Sequence, residues 1–184
     1  MSDTTDAIER GTGETRDGTH VIRFTLRLPH SVPRVWAAVA TPGGLRGWLA
    51  EADPFEPRLG GAVTLRGPGT DVDGRSTAAT GTITAWDVER VAEYTLDDHP
   101  GVIRTDDPNR VRFHLEPPRG SHVLLRFSHE FPREPVGDDR LPADALAAWH
   151  HHFEHLVAAL EGHPATAAWR WDPDRWRQLR EGYR

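Results

Sequence analysis

Residues 20–49, HVIRFTLRLPHSVPRVWAAVATPGGLRGWL, decide the fold. Ile22, Phe24, Leu26 and Leu28 alternate with Arg23, Thr25 and Arg27, the period of two that marks a strand with one buried face. Ser31 is placed to cap a helix, and Pro33 suits its first turn, where a missing N–H costs nothing. Val35, Trp36 and Val39 make a short apolar stripe. Thr41-Pro42 repeats the capping logic for a second, shorter helical turn that ends near Trp48 and Leu49. Sheet-like segments follow, and a long amphipathic helix comes only near the end. That order predicts an α+β domain in which a curved antiparallel β-sheet wraps around a long C-terminal helix, with two short helices after the first strand. Such a sheet leaves space where helix and sheet diverge.

Working outward, Phe55 to Leu59, Gly60-Gly61 and Ala62 to Arg66 read as a hairpin, because paired glycines supply the positive φ of a tight turn. Residues 67–76 read as a loop. Gly81 to Trp86 and Val91 to Leu96 form a second hairpin, with Gly81 and the Gly60-Gly61 pair as bending points. Residues 97–109, with two prolines and four aspartates, read as a loop with at most a short strand around Val102-Ile103. Val111, Phe113 and Leu115 alternate again, and the turn PPRG leads to the longest strand, His122 to Phe131. From Leu141 to Glu161, Leu146, Trp149, Phe153, Leu156, Val157 and Leu160 recur at three- and four-residue steps, so a helix is expected. Gly162 is placed to stop it and Pro164 to prevent a restart. Asp172-Pro173 caps a last short helix with Trp176, Leu179 and Tyr183 on one side. The chain thus divides into a flexible N-terminal tail (1–18), one α+β domain (19–162) and a Trp-rich C-terminal extension with a short helix (163–184).

Composition narrows the function classes. A chain of 184 residues can bury about 70% of its unfolded surface, so neither metal nor disulfide is needed to hold it together. There is no cysteine, which removes thiol nucleophiles and thiolate metal sites and fits a reducing compartment. The opening MSDTTDAIERGTGETRDG is acidic without an apolar core, unlike a signal peptide. No apolar run approaches the ~20 residues that span a bilayer. A cytoplasmic protein is expected, with no membrane insertion. The formal net charge of −6 argues against a general affinity for nucleic acid. Lysine is absent, so all 22 basic residues are arginine; that bias warns against reading each arginine as an anion ligand.

Several stretches together resemble one family: SVPRVWAAVATPGGLRGWL, FEPRLGGAVTLR, GTITAWDVERVAEYTL, VLLRFSHEF and WHHHFEHLVAAL, spread over about residues 20–162. In this order they resemble the START-like, or SRPBCC, superfamily with its helix-grip fold. The nearest branch is the bacterial single-domain relatives of the C-terminal domain of the heat-shock chaperone ATPase activator. The resemblance implies a deep apolar cavity between sheet and long helix. It embraces lipid carriers, polyketide cyclases and proteins without assigned activity. The activator's separate N-terminal partner domain has no counterpart here, so chaperone activation does not follow.

The residues expected to line such a cavity are Trp48, Phe55, Leu65, Tyr94 and Phe113, together with Leu125, Phe127, His129, Trp149 and Phe153. Each aromatic taken alone also reads as packed core. His129 continues the phase of Val123, Leu125, Phe127 and Phe131, so it is either a lone polar group facing the cavity or a strand-end histidine bonded to backbone or water. A buried Tyr94 hydroxyl needs a partner. Arg112, His114, Glu116, Arg126 and Glu130 fall on the opposite, solvated face, where ion pairs across strands explain them. His151-x-x-Glu154-His155 matches an inverted zinc-peptidase pattern, yet lacks a further carboxylate ligand and reads as a solvated helix face; no metal and no cofactor are expected. The function expected is binding of a small hydrophobic or amphipathic molecule, without catalysis. The alternatives are a cyclase- or dehydratase-like enzyme using His129 and Tyr94, and a chaperone or regulator interaction module. The stripe Trp176, Leu179, Tyr183 either braces the chain's own domain or docks a second copy as a homodimer.

Overall fold

The fold is seen in a computed structural model that describes residues 7–70, 76–97, 109–132, 141–162 and 170–184. Its strands are β1 (Thr12–Arg16), β2 (Thr19–Leu28), β3 (Glu51–Phe55), β4 (Ala62–Thr70), β5 (Ser76–Asp87), β6 (Val91–Leu96), β7 (Asn109–Leu115) and β8 (Val123–Pro132). The helices are α1 (Val32–Ala40), α2 (Pro42–Leu45), α3 (Leu141–Leu160) and α4 (Pro173–Gly182). Among the described residues the strands form one antiparallel sheet in the order β1-β2-β8-β7-β6-β5-β4-β3. This is the α+β helix-grip architecture, with α3 packed on the inward face of the sheet.

The caps work as the sequence predicts. The Ser31 side chain accepts from Arg34 N–H, the Thr41 side chain from Gly44 N–H, and the Asp172 side chain from the amides of Asp174 and Arg175. Gly162 closes α3 with φ 76°. Inward residues of neighbouring strands fall into rows. One runs Ala92, Phe113, Phe127, Phe24; the next runs Ile83, Tyr94, Val111, His129, Ile22.

The loosely held tail expected over residues 1–18 instead supplies β1, an edge strand paired with β2. Two local features explain it. Asp17 and Gly18 both take positive φ, 49° and 78°, which a two-residue hairpin turn requires. Gly11 lies so close to the Phe24 ring and Leu146 that a Cβ would collide with both. Ile8, ahead of the strand, is buried. Farther along, β3 ends at Phe55, where the sequence places a strand start, and its register with β4 breaks between Ala52 and Phe55. Pro54 is tolerated because β3 is the other edge of the sheet. The expected loop over 67–76 is shorter than composition suggests, since β4 continues to Thr70 and β5 starts at Ser76. Gly81 is required by proximity: a Cβ there would run into the Thr95 carbonyl of β6. The short strand expected at Val102-Ile103 lies outside the described residues.

Candidate functional site

Aromatic rings fill the contact between sheet and α3. Phe127 is the hub, with ring centroids 4.3 Å from Trp149, 5.0 Å from Phe153 and 5.2 Å from Phe113. Phe24 meets Phe153 at 5.2 Å, and Trp48 stacks on Phe153 at 6.0 Å while meeting Phe113 edge-on at 6.1 Å. Trp48 is held by its indole N–H, which donates to the Ala38 carbonyl at 2.9 Å and so ties the turn after α2 to α1. Leu65 and Leu125 are buried in the same core. Of the residues expected to line a cavity, Phe55 stands apart. It is only half-buried and packs on Trp86, which in turn meets Trp36 at 5.1 Å.

Buried polar side chains, His129, Tyr94 and Asn109 among them, break this apolar surface. His129 is fully buried, and its Nδ1 accepts a hydrogen bond of 3.0 Å from the Trp149 indole N–H. A neutral imidazole accepting at Nδ1 carries its proton on Nε2, so Trp149 fixes the tautomer. Tyr94 is also buried, and among the described residues its hydroxyl has no hydrogen-bond partner. Burial alone raises its pKa far above the ordinary tyrosine value, so it remains a neutral phenol. Asn109 is fully buried too, and both its amide oxygen and its amide nitrogen lack a partner among the described residues. Asn109 lies two residues before Val111 on β7, on the same inward face as Tyr94 and His129. It falls at the end of a segment whose prolines and aspartates read as loop; extending the alternation of Val111, Phe113 and Leu115 back by two residues finds it.

Tyr94 and His129 do not meet as an acid–base pair. They share a row, but Val111 stands between them, which puts their backbones about 9–10 Å apart. On the outer face the arginines and glutamates pair as the alternation predicts. Arg112 bonds Glu93 at 2.9 Å, Arg110 approaches Glu130 at 3.5 Å, and Arg126 pairs with Glu116.

The histidine run of α3 is not the solvated face expected of it. His151 is buried because the start of α4 folds back onto α3 and covers it, and His152 is buried toward the core, beside Trp149 and the Trp48 carbonyl. Among the described residues, no group of three or more His, Cys, Asp or Glu side chains could hold a metal ion. The stripe Trp176, Leu179, Tyr183 is turned to the chain's own surface: the Trp176 indole N–H donates to the Asp144 carbonyl at 3.3 Å, and Tyr183 packs on Phe24 and His150. No helix among the described residues is long and apolar enough to cross a membrane.

Comparison with known proteins supplies the family. No curated protein sequence matches the chain. Among solved structures, CalU16 from Micromonospora echinospora is similar with a TM-score of 0.68 at 19% identity, covering 96% of this chain and 96% of its own. A conserved protein of unknown function from Enterococcus faecalis, EF2215, gives 0.67 at 17% identity, covering 95% of this chain and 88% of its own. DynU16, from the dynemicin biosynthetic locus, gives 0.65 at 16% identity, covering 84% of this chain and 52% of its own. At these identities the likeness is one of fold. The family model for "Activator of Hsp90 ATPase homolog 1-like protein" matches residues 29–161, from the end of β2 through α3. The chain therefore belongs to the Hsp90-ATPase-activator-homologue-1-like family, a branch of the START-like (SRPBCC) superfamily.

Proposed function

We propose that the chain binds a small apolar or amphipathic molecule against the inward face of β6 and β7, with Tyr94 and Asn109 taking its polar end. One observation carries the reading. Three polar atoms, the Tyr94 hydroxyl and both ends of the Asn109 amide, are fully buried and unpartnered among the described residues. Each such group destabilises a protein by about 1–3 kcal/mol unless something bonds it. A bound molecule supplies the missing partners, and the neighbouring rings Phe113 and Phe127 offer it apolar contact. Asn109 both donates and accepts, while the neutral Tyr94 hydroxyl donates, which suits an oxygen-bearing polar end. DynU16's place in a biosynthetic locus agrees with a small organic ligand.

Catalysis gains no comparable support. Val111 separates His129 from Tyr94, and His129 Nδ1 is engaged by Trp149.

The test is native mass spectrometry of the freshly purified full chain beside the double variant Tyr94→Phe/Asn109→Leu. The unaltered chain is expected to carry a small-molecule adduct that the variant lacks. The free variant is expected to be as stable as the parent, or more stable by about 1–2 kcal/mol, because it buries fewer unpaired groups. An adduct retained equally by both chains, or a variant that is clearly destabilised, overturns the proposal.

A further inference from the structure

The run His150-His151-His152 serves three different neighbours. His152 directs Nδ1–H at the Trp48 carbonyl, 3.3 Å away on the core side. The other two face the C-terminal segment. His151 Nε2 accepts from the backbone N–H of Asp172 at 3.1 Å, at the start of α4. At its far end, the Tyr183 hydroxyl accepts from Gly11 N–H at 3.1 Å and shares a 2.7 Å hydrogen bond with His150 Nδ1, in which either group can donate. His151 thus acts as an acceptor toward the segment at Nε2, a role open only to a neutral imidazole, while His150 lies beside Arg175 and Arg10. Between them sits Glu154. Arg175 grips its carboxylate with Nε 3.2 and 3.1 Å from the two oxygens, while His151 Nδ1 at 3.6 Å and His150 Nε2 at 3.8 Å stand just outside bonding range.

We propose that α4 and the residues flanking it, Trp171 to Tyr183, form a clasp released by protons, which stays on α3 only while His150 and His151 are neutral. A proton on His151 Nε2 sets N–H against the Asp172 N–H. A proton on His150 places a new positive charge beside Arg175 and Arg10. Release cures both conflicts. Arg175 leaves with α4, and Glu154, three and four residues along the helix, becomes the partner of both imidazoliums. The charged and titratable groups around the seam are Asp144, Glu154 and His155 from α3, Asp172, Asp174, Arg175, Arg180 and Tyr183 from the C-terminal segment, and Arg10 from the N-terminal one. The Asp172 carboxylate caps the amides of Asp174 and Arg175 and its charge favours protonated His155, while Asp144 pairs with Arg180.

Burial, opposed by Glu154 and reinforced by Arg175, keeps His150 below the ordinary histidine value. Burial, followed by His151, does the same for His155. The sign follows. A docked form with lowered histidine values binds fewer protons than the released form. Docking is therefore fully stable above about pH 6.5 and weakens as pH falls from there through the lowered values. The inference concerns the outer surface of α3 and stands without the ligand reading.

Hydrogen–deuterium exchange of the full chain tests it, with protection factors corrected for the chemical effect of pH. Between about pH 7.5 and pH 5.5, amides of α4 are expected to lose protection at least tenfold, while those of β7 and β8 hold theirs. Asn keeps an acceptor where His150 presents Nδ1, and Gln keeps one where His151 presents Nε2; neither titrates. The variant His150→Asn/His151→Gln is therefore expected to keep α4 protected at the lower pH. Unchanged protection of α4 in the parent chain, or loss in step with β8, overturns the proposal even if the variant fails to fold. A folded variant that still loses α4 at acid pH overturns it as well.

Discussion

Trp149 gives its indole N–H to His129 inside a shell of rings, where water cannot replace it. Removing the donor leaves a buried acceptor without that bond, so Trp149→Phe is expected to cost about 2–4 kcal/mol in urea unfolding, from lost volume and a lost bond together. A double-mutant cycle with His129→Leu separates the two contributions. A coupling energy of about 1 kcal/mol or more is expected, and strictly additive losses would show that the bond contributes nothing. At this scale the sequence is legible wherever alternation governs. The phase of Val123, Leu125, Phe127 and His129 is enough to turn His129 inward. Its partner is not legible, because Trp149 lies twenty residues on, in a different element. Asn109 is hidden by the prolines and aspartates before it, although the period of β7 reaches it.

Each secondary-structure element follows local chemistry until a neighbour's backbone intervenes. Gly81 reads as a bend, yet its lack of a side chain answers to Thr95 on the adjacent strand. Gly81→Ala is expected to push β5 and β6 apart at a cost of about 2 kcal/mol or more, lowering Tm by roughly 4–8 °C in calorimetry. An unchanged Tm would mean that the pair yields freely. β1 is the clearest case of a readable signal outweighed by a broader one. Asp17-Gly18 is a strong hairpin turn, but the polar, glycine-rich composition around it reads as tail. Gly11 is there because Phe24 and Leu146 press against it, a tertiary reason that no window of sequence contains. The long helix α3 shows the opposite pattern. Its core face is plain from periodicity, while the burial of His151 depends on where a separate segment folds back.

Over the molecule as a whole, the two ends of the described chain meet on α3. Arg10 lies over the Tyr183 ring and bonds the Gly182 carbonyl, and Gly11 N–H reaches the Tyr183 hydroxyl. Removing residues 163–184 is therefore expected to loosen β1 as well as α3. Tm should fall by roughly 5–15 °C, with far-UV circular dichroism still reporting the sheet. Intact protection of the β1 amides in the truncated chain would show that the ends are not coupled. A second acid step belongs to Glu154. Burial alone raises its pKa, but His151 close beside it and the hydrogen bonds and charge of Arg175 outweigh this and hold it at about 2. A depressed carboxyl contributes stability that is full above the ordinary glutamate value and lost as pH falls toward about 2. Glu154→Gln is expected to remove that step from an acid-unfolding curve; a curve identical to the parent's would exclude the carboxylate as its source.

The edge strand β3 has one more effect, felt when molecules are crowded together. An open β-sheet invites a neighbouring copy to add its own strand, the first move toward fibrils. With Pro54 offering no N–H and the register broken between Ala52 and Phe55, that side presents a poor template, and concentrated solutions should stay clear.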